Sequence, residues 1–276
     1  MSKIPELKSE YIWAVVMVVY IIIAVTPIGA PFTMSDITVE IYDLIEKLPP
    51  GSIIIQGGSG VFAFDLESSA AMIAAIKQME KNDLRLVNVP LGVEAVQFEK
   101  FCVDSAKVDK RYGGSWEYGV DWVQLPYLPG LDAALVSFLN DVHGTVSTDV
   151  EGTPINELPI MNDLRSAKDI ALWTCPHYDY PMIVRFVTAE RGIPSINFAQ
   201  ASCYTDWSAY MMIYEDMVWM TCGFLGGAQY EQLMGYSGLG KAAIDGFAVV
   251  SIVYFAFIAL GNITLLTRLR EKDEEP

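Results

Sequence analysis

The sequence predicts an α/β protein: a doubly wound, mainly parallel five-stranded sheet of Rossmann-like type, flanked by two transmembrane helices. Three observations carry this. Short runs rich in β-branched residues, such as Ser52-Ile53-Ile54-Ile55-Gln56, alternate with stretches of helical spacing from residue 35 to residue 199, the pattern of strand–helix units joined by right-handed crossovers. The strand runs are continuously apolar, as expected of strands covered on both faces. Two further apolar segments, Tyr11 to Ala30 and Gly246 to Thr267, bracket the alternating region, and each can cross roughly 30 Å of hydrocarbon as a helix.

Residues 1–32 read as a short tail and first span, with small residues at Ala24 to Ala30 that would also suit a cleaved signal peptide. Lys3 and Lys8 precede this segment, and Arg268, Arg270 and Lys272 follow the second, so both termini are expected in the cytoplasm and the main domain outside it. An α/β domain is expected over residues 33–206. It opens with an amphipathic helix from Ser35 to Leu48, stopped by Pro49-Pro50-Gly51. The first strand, 52 to 56, runs into Gly57-Gly58-Ser59-Gly60, a glycine turn before a helix that begins near residues 65–69 and ends at Asn82-Asp83. A strand at 84–90, a helix at 93–106, a strand at 120–125 and a helix at 131–142 follow, and a long polar connection then spans 144–165. Such a loop reads as functional or interfacial. A strand at 169–174, a helix at 181–190 and a strand at 195–199 complete the series. The simplest strand order is 3-2-1-4-5, with the first strand central.

Beyond it, residues 207–242 read as an apolar helix and glycine-rich hinge, and 243–276 as the second span with its tail. The adjacent acids Glu215 and Asp216 argue against a third span at 207–234. A long helix packed on the sheet, on a neighbouring subunit or along the membrane surface fits its methionine and aromatic content. Tyr210, Met211, Tyr214, Met217 and Trp219 are the candidate interface residues there, with Ala242 and Gly246, four apart, as a place where helices could approach closely.

The net charge of −16 resides almost entirely in the middle region. It argues against nucleic acid and anionic lipid as partners; a soluble or salt-adapted extracytoplasmic face is the plain reading, divalent-cation binding the sharper one. Cys102, Cys175, Cys203 and Cys222 contain no Cys-x-x-Cys pair, which speaks against a zinc ribbon or thioredoxin-type site and leaves disulfides or buried thiols.

In a doubly wound sheet a ligand sits beyond the carboxyl ends of the strands, where strand order reverses. That makes Gly57, Gly58, Ser59, Gly60, His177, Asp179 and Ser202 the candidate ligand-binding residues. The glycine run is neither a Walker loop nor G-x-G-x-x-G, and it misses a nucleophile elbow by one residue. His177 and Asp179 lack a third metal ligand, and His143 lies on another helix. Asp65 with Glu67 reads as charge at a helix N-terminus, and Glu215 with Asp216 as a solvated patch. No catalytic residue, metal site or cofactor is assigned.

Four segments together resemble an uncharacterised family of archaeal and bacterial membrane-anchored α/β proteins. They are Tyr118-Gly119-Val120-Asp121-Trp122-Val123-Gln124-Leu125-Pro126-Tyr127-Leu128-Pro129-Gly130, Thr148-Asp149-Val150-Glu151-Gly152-Thr153-Pro154, Gly223-Phe224-Leu225-Gly226-Gly227-Ala228-Gln229-Tyr230-Glu231 and Leu260-Gly261-Asn262-Ile263. The resemblance covers roughly Lys47 to the second span. It implies an α/β domain tied to a membrane helix and supplies no activity, substrate or site residues. The stretch from Ala201 to Met220 is richer in aromatic residues and methionine than that family's pattern. The expected function is a membrane-anchored scaffold or interaction protein, associated with the lipid bilayer and with itself or another membrane protein. The alternative is a surface receptor or enzyme that binds a small polar or anionic ligand at the carboxyl ends of the strands.

Overall fold

The computed structural model describes residues 8–26, 28–176 and 179–273. The chain forms two compact units, Phe32–Gly240 and a second made of Met1–Pro31 with Lys241–Pro276.

In the larger unit, α2 (Asp36–Glu46) leads through the Pro49-Pro50-Gly51 stop into β1 (Ile53–Gly58), α3 (Phe62–Lys81), β2 (Arg85–Pro90), α4 (Ala95–Ala106) and β3 (Trp122–Gln124). Short helices α5 (Asp132–Asn140), α6 (Val142–Thr145) and α7 (Pro159–Asn162) follow, then β4 (Ile170–Cys175) and α8 (Tyr180–Ile183), which widens into a π-helical stretch at Val184–Ala189. The unit closes with β5 (Ser195–Ala199), α9 (Tyr204–Ile213), β6 (Val218–Cys222) and α10 (Gly223–Leu233). Among the described residues the sheet has six strands in the order β3-β2-β1-β4-β5-β6, all pairs parallel. Strand β1 is central, as the isoleucine run requires: Ile53, Ile54 and Ile55 are buried, each worth about 1.5–3 kcal/mol relative to exposure. One face packs on α2, α3, α4 and α10 through Ile54, Leu86, Trp122, Leu172 and Ile196. The other packs on α5 to α9 through Ile55, Val87, Val123, Trp173 and Cys175.

The sixth strand corrects the expected five-stranded sheet and the long helix at 207–234. Tyr214 ends α9, and Asp216, at φ 62°, sits in the left-handed region. An acidic residue tolerates that conformation in a turn. Residues Val218 to Cys222 then pair with Ser195 to Ala199 in register. The 144–165 connection is likewise no free loop, because Val146, Ile155, Leu158, Ile160, Met161 and Leu164 are buried in the sheet-face core. Its Thr148–Pro154 motif is a turn built on Asp149, whose Oδ1 accepts from the backbone N–H groups of Glu151 (2.9 Å) and Thr153 (2.8 Å).

In the smaller unit, α1 (Ser9–Val25) lies antiparallel to α11 (Leu239–Asp273). The Trp13 and Tyr254 rings meet edge to face at 6.2 Å, and a Cβ added to Gly246 would lie 2.7 Å from Tyr20 Cε2. The two expected spans become one candidate: Leu239–Thr267, 29 residues with mean hydropathy 2.2, is long and apolar enough to cross a membrane. Helix α1 has 17 residues, about 25 Å. Pro27 follows its end in the sequence, as suits a helix stop, and beyond it the N–H groups of Ile28 (2.9 Å), Gly29 (3.0 Å) and Ala30 (2.6 Å) donate to the Asp245 carboxylate.

Candidate functional site

The point where strand order reverses lies between β1 and β4, and the glycine run reaches it differently from expectation. Gly57 and Gly58 are the last residues of β1, paired with Val89 and Pro90 of β2; only Ser59 and Gly60 form the turn. Neither of the two strand glycines is required by a positive φ. They are required by space: a Cβ on Gly57 would lie 2.7 Å from Trp173 Cζ2, one on Gly58 3.0 Å from Cys175 Sγ, and one on Gly60 2.7 Å from Phe98 Cδ1. Side chains thus fill the room that a phosphate-binding turn leaves for its ligand.

The N–H groups at the start of α3 are also taken. Asp65 Oδ2 accepts from Val61 N at 2.7 Å, and Glu94 Oε1 accepts from Phe62 N at 2.9 Å. Asp65 Oδ1 accepts from Gln200 Nε2 at 2.9 Å, and Glu67 Oε1 from Ala201 N at 3.0 Å. A helix N-terminus attracts anions through its free donors and its dipole; here the chain's own carboxylates occupy that place. Asp65 and Glu67, which read as charge at a helix N-terminus, stand at the start of α3 and also tie the β5 exit to it.

Beneath the turn runs a buried polar row that the apolar strand pattern concealed. Gln124, Asn88, Gln56 and Thr174 stand side by side on β3, β2, β1 and β4. Asn88 Nδ2 donates to Gln124 Oε1 at 2.7 Å, and Gln124 Nε2 donates to Glu99 Oε2 at 3.4 Å. Glu99 is wholly buried, and loss of water pushes its carboxyl well above the ordinary value of 4.5, against the hydrogen bonds from Gln124 and the Gly58 backbone and with the help of the Asp179 charge. Glu99 Oε1, Asp179 Oδ2, Asn88 Oδ1 and Gln56 Nε2 are buried without a hydrogen-bond partner. Three of these four atoms are acceptors, so the arrangement can take up donors, a proton above all, and repels anions. Glu99 and the amide row were not among the expected site residues; the row's only signal was a polar residue at the same place in each of four apolar strand runs, and Glu99, on α4, had none.

The other expected residues are dispersed. Asp179 lies beside Gly58, with its Oδ2 3.7 Å from where a Gly58 Cβ would stand, whereas His177 lies outside the described residues. Ser202 is exposed, and its Oγ donates to Gln200 Oε1 at 3.4 Å. His143 bridges Met161 O (2.7 Å) and Arg165 (2.9 Å) in a structural role. Tyr210, Met211 and Tyr214 pack partly into one core layer and Trp219 into the other; Met217 is half-buried. Gly246 meets Tyr20 of its own chain, and Ala242 is half-buried. The exposed large apolar residues of the 207–220 segment are instead Met212 at 79% and Ile213 at 67%. A cavity of about 450 Å³ between α3, α4 and residues 236–239 contains none of the expected residues. Among the described residues no group of three or more His, Cys, Asp or Glu is placed to hold a metal ion. Burial raises the Cys102 thiol and pushes that of Cys222 up to about 12, so neither is primed as a nucleophile.

No family model matches the chain, and neither a curated protein nor a solved structure matches it.

Proposed function

We propose that this protein is a self-assembling, membrane-anchored interaction protein: α11 and the shorter α1 cross the bilayer, both termini are cytoplasmic, and the Phe32–Gly240 unit lies outside. The resemblance to the uncharacterised archaeal and bacterial membrane-anchored family is part of this proposal. The observation that carries it is the closed anion position. The donors at the start of α3 are held by Asp65 and Glu94, and the glycine backbone is covered by Trp173 and Phe98, which removes the usual ground for a nucleotide or phosphate ligand.

Apolar side chains support both contacts of the proposed role. On the helix pair, Trp13, Met17, Ile21, Ile252, Phe255 and Ile258 are each more than half exposed, as suits lipid. On α9, Met212 and Ile213 project into solvent and suit a second copy of the chain. The mass of the purified complex in detergent tests this. A multiple of the 30.6 kDa chain is expected, falling to the single chain when Met212 and Ile213 are both changed to Glu; a monodisperse monomer from the unaltered protein would sink the assembly.

A further inference from the structure

We propose that the carboxyl end of the sheet lies on the lipid surface itself, so that the membrane is a binding partner of the α/β unit as well as its tether; this rests on the membrane reading above. The first ground is a set of exposed apolar side chains on the turns and the first helical turns that follow the strands. Phe62 (37%) and Phe64 (61%) follow β1, Val93 (73%) follows β2, Leu131 (50%) follows β3, Tyr204 (44%) follows β5 and Leu225 (44%) follows β6. In a soluble sheet protein these turns carry polar residues that bind ligands or water. Here five of the six strands end under large apolar groups at one end of the unit, a distribution that marks an interaction surface.

The second ground identifies what covers them. The chain enters and leaves the α/β unit at that same end. Thr33 O accepts from Gln229 Nε2 at 2.6 Å, and Thr38, in the first turn of α2, meets Thr221 near the carboxyl end of β6 at 3.3 Å. Helix α2 then runs away toward the amino ends of the strands. At the other terminus Glu231 Oε1 accepts from Gly240 N at 2.7 Å, and Gly240 packs on the backbone of Gly227 and Ala228. Both connections to the apolar helices leave the α/β unit at its carboxyl end, on the edge where β6 runs into α10, so lipid headgroups and the upper acyl region are the surface that the exposed side chains of this end meet. Aromatic rings at that depth are favoured on both counts, apolar body and polar rim. Exposed Glu94, Asp132 and Asp206 stand among them, which fits a zwitterionic rather than an anionic surface.

Spin labels test this on the full chain in phosphatidylcholine nanodiscs, in a Cys222→Ala background that leaves the buried cysteines unlabelled. Phe64→Cys and Val93→Cys are compared with Lys168→Cys at the amino end and Ile258→Cys on α11. Oxygen, which concentrates in lipid, should relax the labels at 64, 93 and 258 more than a water-soluble nickel complex does, with the reverse at 168. Lipid exposure at 258 with water exposure at 64 and 93 would overturn this inference while leaving the membrane reading intact. Water exposure at 258 would overturn both. Labels at 64 and 93 shielded from oxygen and nickel alike would mean that protein, not lipid, covers the surface, and would also overturn it.

Discussion

Gly57 and Gly58 end the central strand, and the Gly58 backbone reaches the Glu99 carboxyl, yet the glycines and the glutamate have opposite relations to the sequence. The glycines are conspicuous as letters, yet their role is steric: they make room for Trp173, Cys175 and Pro176. Glu99 is inconspicuous on a helix of mixed composition, yet it is the buried carboxyl under which Gln124 and Asn88 are aligned. Burial raises its proton affinity above that of the unfolded chain. The folded state then binds more protons than the unfolded state above the ordinary carboxyl range, and stability is lost as pH rises through that window. Glu99→Gln keeps the hydrogen-bonding shape without the charge. Its melting temperature relative to the unaltered protein should therefore improve as pH is raised from about 5 to about 8; a difference that stays constant, or moves the other way, would show that Glu99 does not hold its proton in the folded state. None of this was legible in advance, because desolvation depends on which helix covers which strand and no local pattern encodes it.

The Gly223–Glu231 segment shows the same limit for a whole element. Its glycines open α10, and the Cβ of an alanine at Gly227 would overlap the Cβ of Ala70 and lie 3.1 Å from Ala71 N. The alanine-rich stretch of α3 and the glycines of α10 thus let two helices approach almost backbone to backbone. Alanine ordinarily stabilises a helix interior by about 1 kcal/mol over glycine, but here overpacking should reverse the sign, with Gly227→Ala costing about 1–3 kcal/mol. Urea denaturation of the two proteins in the same detergent checks it, and a more stable variant would refute the close packing. The neighbouring strand β6 escaped the sequence reading for a different reason. Met217 to Cys222 is a short apolar run, and such a run fits a buried helix or a buried strand equally well by periodicity. What decides is the free edge of β5, whose backbone groups need partners and find them in Val218 to Cys222.

For the whole molecule, the proposed orientation makes a prediction of its own. A cysteine replacing the exposed Lys168 should react with a membrane-impermeant maleimide on intact cells, and reaction only after lysis would place the α/β unit in the cytoplasm. The orientation rests on the sequence alone, on where Lys3, Lys8, Arg268, Arg270 and Lys272 lie along the chain. The sequence by itself also determined the parallel α/β class, the central position of the isoleucine strand and the apolar character of the C-terminal helix. These follow from local periodicity and composition, which act over a few residues and need no partner. Only the tertiary structure decided that a sixth strand extends the sheet, that residues 28–30 are held by the Asp245 carboxylate, and that the glycine turn is closed by Asp65, Glu94, Trp173 and Phe98. Each of those depends on groups far apart in the chain competing for the same donors or the same volume, and that competition is settled only when the chain has folded.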